Sequence, residues 1–137
     1  MWYTWQVAIR ERVLSLVGGL DIDRYYIGYM PKDRQYPYIY SPLESGQERH
    51  TLGVYKPMYV FDWRISVWCD MRRGGPQKVE EVFDVVKDGL VWDLLDLGAS
   101  FTHVKMLPDI VTPIRQDVED ESVFFQTVIY SAQVDKN

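Results

Sequence analysis

The sequence contains few of the residues from which disulfides, metal sites and nucleophilic centres are built. Its 137 residues include one cysteine, Cys69, and two histidines, His50 and His103. A single cysteine excludes an internal disulfide, so the fold does not require an oxidising compartment. The histidines lie far apart in the sequence, and neither has a second ligand at the spacing of a zinc site. We therefore expect no metal and no cofactor.

Long apolar runs and an excess of positive charge are also missing. No stretch approaches the ~20 uncharged apolar residues that span a bilayer. The N-terminus reaches Arg10 without the basic and apolar regions of a signal peptide. Fifteen Lys and Arg residues against 20 Asp and Glu residues give a net charge of −5. This balance argues against binding of nucleic acid through phosphate neutralisation, and no basic helix indicates a membrane surface.

Aromatic residues, in contrast, are abundant. The chain has ten tyrosines and five tryptophans, within an apolar content of 47% that is typical of globular proteins. Large aromatic side chains with a polar group are favoured at protein–protein interfaces. The length predicts one domain over residues 1–137.

Two segments have the periodicity of amphipathic helices. Residues 2–17 form the first, which we expect to stop at Gly18-Gly19. The second runs from Pro76 to about Gly89, with a further turn through Leu95 as an option. Its apolar positions are Val79, Val82, Phe83, Val86 and Leu90.

Four segments are predicted as strands. Residues 36–41 form a short strand with Pro37 at its start or edge. Residues 58–70 alternate apolar and polar side chains over a long run, which predicts a strand with one buried face. Residues 101–107 form a third strand, and residues 122–134, apolar on both faces, form a central one. We expect Phe61, Trp63, Ile65 and Val67 to face both helices through Val13, Val82, Phe83 and Val86.

The fold class follows from the order of these elements. We predict an α+β fold with one antiparallel or mixed sheet and two helices packed on one face. Residues 42–57 are polar and interrupted by Pro and Gly, which predicts a long loop or β-hairpin arm. Residues 108–121, with two prolines and an acidic run, are predicted to be a connecting loop.

Each candidate for chemistry has a simpler structural explanation. Cys69 lies on the apolar face of its predicted strand, where a free cysteine behaves as a small hydrophobe rather than a nucleophile. The acidic run 117–121 lacks the spacing of a calcium loop. Gly74-Gly75 before a helix is only a weak signal of an anion site. The basic and aromatic residues between Arg24 and Tyr38 suit a subunit interface better than base stacking, because the chain is acidic.

The order of elements resembles the tail-completion, or tail-terminator, proteins of long-tailed bacteriophages. The similarity covers nearly the whole chain and rests on short hydrophobic motifs. These are Leu16-Val17-Gly18-Gly19 at the end of the first helix, Pro37-Tyr38-Ile39, Ile65-Ser66-Val67-Trp68 before Gly74-Gly75, Ile114-Arg115-Gln116-Asp117, and Val128-Ile129-Tyr130-Ser131-Ala132. The aromatic N-terminus and the proline-bearing segment 108–121 depart from many members of that family.

The resemblance implies a non-enzymatic virion protein that forms a ring, typically a hexamer. Such a ring terminates the tail tube, contacts tail-tube and head–tail connector proteins, and lets DNA pass through its lumen without specific binding. The protein would be made in the host cytoplasm and reside in the tail or neck of the virion. The alternatives are another head–tail connector protein or a small-ligand-binding regulatory α+β domain.

The same resemblance suggests two sets of site residues. The hairpin arm would contact the next subunit, and the acidic segment would line the lumen, where it would not grip phosphate. The arm candidates are Glu44, Gln47, Glu48, Arg49, His50, Leu52 and Tyr55. The lumen candidates are Asp117, Glu119, Asp120 and Glu121.

Overall fold

The chain has an α+β fold, seen in a computed structural model that describes residues 1–43, 47–51, 54–92 and 94–137. The helices are α1 (Trp2–Val17) and α2 (Gly75–Trp92), with short 3-10 turns at Gly18–Leu20 and Met71–Arg73. The strands are β1 (Tyr25–Ile27), β2 (Tyr38–Ser41), β3 (Gln47–Thr51), β4 (Val54–Asp70), β5 (Phe101–Val111), β6 (Arg115–Gln116) and β7 (Val123–Lys136). The predicted fold class is therefore confirmed.

The two helices lie where periodicity places them. Helix α1 has the predicted bounds, but the chain continues through a 3-10 turn, and the left-handed residue that ends it is Asp21 (φ 57°) rather than a glycine. Helix α2 begins one residue before Pro76 and ends at Trp92, so the optional turn through Leu95 does not form. In the part of the chain that the structure describes, neither helix is long and apolar enough to cross a membrane.

The sheet is mixed and built around one long antiparallel pair. Its order is β1-β2-β4-β7-β5, with β3 also on β4 and β6 also on β7. Strands β4 and β7 pair from Met58 opposite Asp135 to Asp70 opposite Val123. Val60 has β3 on one side and β7 on the other. Strands β2 and β3 therefore share one side of β4, and β5 and β6 share the outer side of β7.

The core lies between the helices and one face of the sheet. Alternate residues of β4, from Phe61 to Cys69, are at most 5% exposed and belong to the same apolar cluster as the buried side chains of α1 and α2. This confirms the predicted helix-facing set. Of the intervening side chains, those of Asp62 and Arg64 are exposed on the other face.

Two predictions about the edges of the sheet are wrong. Strand β5 runs on to Val111 instead of stopping at residue 107, and the supposed loop 108–121 also contains β6. Strand β5 accommodates Pro108 because it is an edge strand and its register shifts between Pro108 and Ile110. At the opposite edge, the segment between Arg24 and Tyr38 contains β1, which runs parallel to β2.

Candidate functional site

Cys69 is a core residue. It is fully buried, and its sulfur lies 3.4 Å from the carbonyl oxygens of both Asp70 and Arg73, either of which can accept its one proton. Burial raises the pKa of the thiol, partly opposed by a backbone hydrogen bond from Gly75. A protonated, enclosed thiol cannot act as a nucleophile.

The two histidines are held on strands that are not neighbours. His50 is in β3, which pairs with β4, whereas His103 is in β5, which pairs with β7. His103 is 2% exposed, and its two ring nitrogens are bonded to the backbone of Leu95 and Lys105. Among the described residues, no group of three His, Cys, Asp or Glu side chains could hold a metal ion.

A polar network in the core also serves structure. Trp63 Nε1 donates to the hydroxyl of Tyr25 at 3.1 Å, and that hydroxyl forms a second hydrogen bond, of 2.6 Å, with Ser41 Oγ. Ser41 is fully buried and Tyr25 is 4% exposed. Burial raises the pKa of Tyr25 far above its ordinary value, so the network is a neutral cross-link between β1, β2 and β4.

The basic and aromatic residues 24–38 do not form one open platform. Tyr25 belongs to the main core, and Tyr38 is 1% exposed on the face of the sheet opposite the helices. Tyr38 stacks on Trp68 (ring centroids 6.1 Å apart), and Trp68 stacks on Phe125 (4.3 Å). Arg34 donates to the Tyr38 hydroxyl at 3.2 Å. Because Tyr38 is 1% exposed, its ring offers no open face to a base.

This aromatic ladder is a feature that sequence reasoning missed. Tyr38, Trp68 and Phe125 are cross-strand partners on β2, β4 and β7. The available signal was that Trp68 stands at a polar position of the β4 alternation. Burial raises the pKa of Tyr38 to about 12, against the opposing effect of Arg34.

The predicted arm is a β-hairpin. Strand β3 pairs with residues 54–60 of β4, and residues 54–57 extend beyond the last partner that β7 offers, Asp135 opposite Met58. Gln47, Glu48, Arg49 and His50 lie in β3 and Tyr55 lies in β4, whereas Glu44 and Leu52 lie outside the described residues.

The acidic residues lie in the turn between β6 and β7. The amide of Asp117 donates to Val123 O at 2.9 Å, and the amide of Val123 donates to Asp120 O at 3.0 Å. Glu119 and Glu121 are exposed. Hydrogen bonds from the hydroxyl and amide of Ser122 lower the pKa of Asp120. This turn adjoins Met71, whose amide donates to Ser122 O, so the acidic turn and the arm lie at opposite ends of β4.

Two further surfaces expose apolar side chains. Strand β5 carries a row of half-exposed aliphatic residues: Val104, Leu107, Ile110 and Val111. Helix α1 and the segment after α2 enclose a groove with two adjoining cavities of about 330 and 240 Å³. Ala8, Glu11 and Asp96 line both cavities.

Comparison with known proteins gives likeness in fold. No protein-family model and no curated protein sequence matches the chain. A chain from the virion of a native gene transfer agent particle has a TM-score of 0.66 and 19% identity, over 95% of this chain and 93% of that chain. A structure of the bacteriophage SPP1 gp17 protein has a TM-score of 0.48 and 12% identity, over 96% and 91%. The first likeness establishes a shared fold, and the second score is too low to add to it.

Proposed function

We propose that this chain is a structural virion protein that forms a ring, terminates a phage tail tube and joins the tail to the head. The observation that carries the proposal is the shared fold, over 95% of the chain, with a component of a gene transfer agent virion. The candidate catalytic side chains support a non-enzymatic role, because Cys69 and His103 are buried and bonded to backbone.

The arm supports assembly as the mechanism. Ordering a polar hairpin costs about 1–2 kcal/mol of backbone entropy per residue. A neighbouring subunit can offset that cost through backbone and side-chain contacts with the arm. In a ring of identical subunits the contact is head-to-tail, so each subunit both provides and receives an arm. Because the acidic turn is at the other end of β4, the arm can reach a neighbour without covering the turn of its own subunit.

The test combines particle mass with tube capping. Light scattering of the intact protein, alone and with tail tubes, should give the mass of a ring of about six subunits. A variant lacking residues 44–53 should remain folded by circular dichroism but assemble poorly and fail to cap tubes. If both proteins form equal rings and cap equally, the arm has no part in assembly. An intact protein that stays monomeric with tubes present contradicts the ring itself.

We further propose that Asp117, Glu119, Asp120 and Glu121 line the lumen. An acidic lining repels phosphate and lets DNA pass without being held. A reconstruction of the assembled ring tests this directly, because the turn must lie within the channel. If the acidic turn lies on the outer rim instead, the lumen assignment is wrong, but the proposal of a ring still stands.

A further inference from the structure

His103 fixes the position of the segment that connects α2 to β5. The amide of Leu95 donates to Nδ1 of His103 at 2.8 Å. Since Nδ1 accepts, the ring proton is on Nε2, which donates to Lys105 O at 3.0 Å. Both ring nitrogens are therefore satisfied only in this one neutral tautomer.

The surroundings of the ring are apolar. The ring of Trp5 on α1 lies perpendicular to it, with centroids 5.1 Å apart, and Val134 is its partner on β7. Leu95 and Leu97 of the connecting segment are 7% and 6% exposed. Burial lowers the pKa of His103, and only the bond to Lys105 O opposes this effect.

Among the described residues, no charged side chain of the adjoining elements shifts the pKa of the ring. Asp96 of the segment accepts a hydrogen bond from Gly98, and Asp135 of β7 accepts one from Gln133. Lys105 of β5 and Glu11 of α1 have exposed side chains. Arg12 of α1 lines the same groove as Leu95.

Protonation of the ring removes the bond to Leu95. An imidazolium has a proton on each nitrogen, so Nδ1–H would then face the amide N–H of Leu95 as donor against donor. Leu94, Leu95 and Asp96 form one wall of the groove against α1. Loss of the bond removes a polar contact that ties this wall to β5.

We propose that His103 is a pH-sensitive latch that holds the Leu94–Leu97 segment against α1 while neutral and releases it when protonated. The direction of the pH dependence follows from the linkage between proton binding and closure of the segment. The ring binds its proton more readily in the released state than in the closed state. The closed state is therefore fully favoured above the ordinary pKa of histidine and is lost as pH falls through the lowered pKa. The latch does not depend on assembly of the subunits into a ring.

Nuclear magnetic resonance on the wild-type protein tests the latch. The ring signals of His103 should titrate below the ordinary value for histidine. As pH falls from the ordinary pKa of histidine to the lowered pKa of His103, exchange of the Leu95 amide should become faster. Its rate, divided by the intrinsic rate at each pH, should rise about tenfold for each unit that the pH falls. The amide of Tyr130, at the centre of the sheet, should not follow it.

Two variants separate the latch from general acid sensitivity. In His103→Asn, an amide oxygen replaces Nδ1 as a non-titrating acceptor, so the pH dependence at Leu95 should disappear. In His50→Asn, which removes the other histidine, it should persist. If the asparagine variant does not fold, the wild-type titration decides alone. Protection of Leu95 that stays constant while His103 titrates, or a His103 that titrates at its ordinary value, overturns the proposal.

Discussion

Single side chains at the centre of the core carry much of the stability. Phe83 is 1% exposed between α2 and the sheet. We expect Phe83→Ala to lower the free energy of unfolding by about 3–5 kcal/mol, through lost burial and the cavity that remains. Chemical denaturation measures this change. The matched control is Tyr29→Ala at a position that is 76% exposed, and a change under about 1 kcal/mol for Phe83→Ala would contradict its assigned place.

The buried pair Tyr25 and Ser41 makes a second prediction at this scale. Ser41→Ala removes the side-chain partner of the Tyr25 hydroxyl and should cost about 1–3 kcal/mol. Tyr25→Phe should also destabilise, because it leaves Trp63 Nε1 unpaired. The double variant should cost less than the sum of the two, as a double-mutant cycle measures. Strict additivity would mean that the 2.6 Å contact contributes nothing.

The thiol of Cys69 should be inert in the folded protein. Its full burial and raised pKa both suppress the thiolate. A thiol reagent should label it slowly under native conditions and rapidly in denaturant, which serves as the control. Rapid labelling under native conditions would contradict this prediction and make Cys69 a candidate nucleophile again.

At the level of elements, Gly89 of α2 packs against Leu16 of α1. A Cβ placed there would lie 2.6 Å from a methyl carbon of Leu16. Gly89→Ala should therefore lower the free energy of unfolding by about 1 kcal/mol, because overpacking exceeds the gain in helix propensity.

The sign should reverse when Leu16 is shortened. In a Leu16→Ala background the space is open, so Gly89→Ala should stabilise by up to about 1 kcal/mol through helix propensity alone. Thermal or chemical unfolding of the four proteins measures this reversal. Destabilisation of equal size in both backgrounds would show that Leu16 does not limit the approach.

Elements with a strong local period could be predicted from sequence, whereas those set by tertiary pairing could not. The bounds of α1 and the buried face of β4 follow from spacing alone, because one apolar stripe and one alternation specify them. Strand β1 has three residues, and only its pairing with β2 reveals it. Strand β5 passes through Pro108, which is tolerated because β5 is the edge strand of the described sheet.

The candidate site was predictable to a similar degree. Polar composition and length indicated a hairpin at residues 42–57, and acidic composition indicated an exposed segment at 117–121. The direction of each could not be read locally, since it depends on how β4 and β7 align. The ladder of Tyr38, Trp68 and Phe125 was hidden for the same reason, because its members come from three strands.

For the whole molecule, the arm should be dispensable for folding. Strands β4 and β7 pair with each other from Met58 to Asp70, and the described core lies between these strands and the two helices. Deletion of residues 44–53 should therefore change the free energy of unfolding by less than about 1 kcal/mol, measured on dissociated subunits by denaturation. A larger loss would mean that the deletion damages the domain and that any failure to assemble is indirect.

The length of β4 has a mechanical consequence. One strand runs without interruption from the arm to Asp70, whose carboxylate holds Arg73 at 2.7 Å just before α2 begins. A strand that is paired along its whole length, first with β3 and then with β7, resists stretching and bending far more than a loop does. A force applied to the arm is therefore transmitted along the strand, and it acts on the start of α2 and on the acidic turn at the same time.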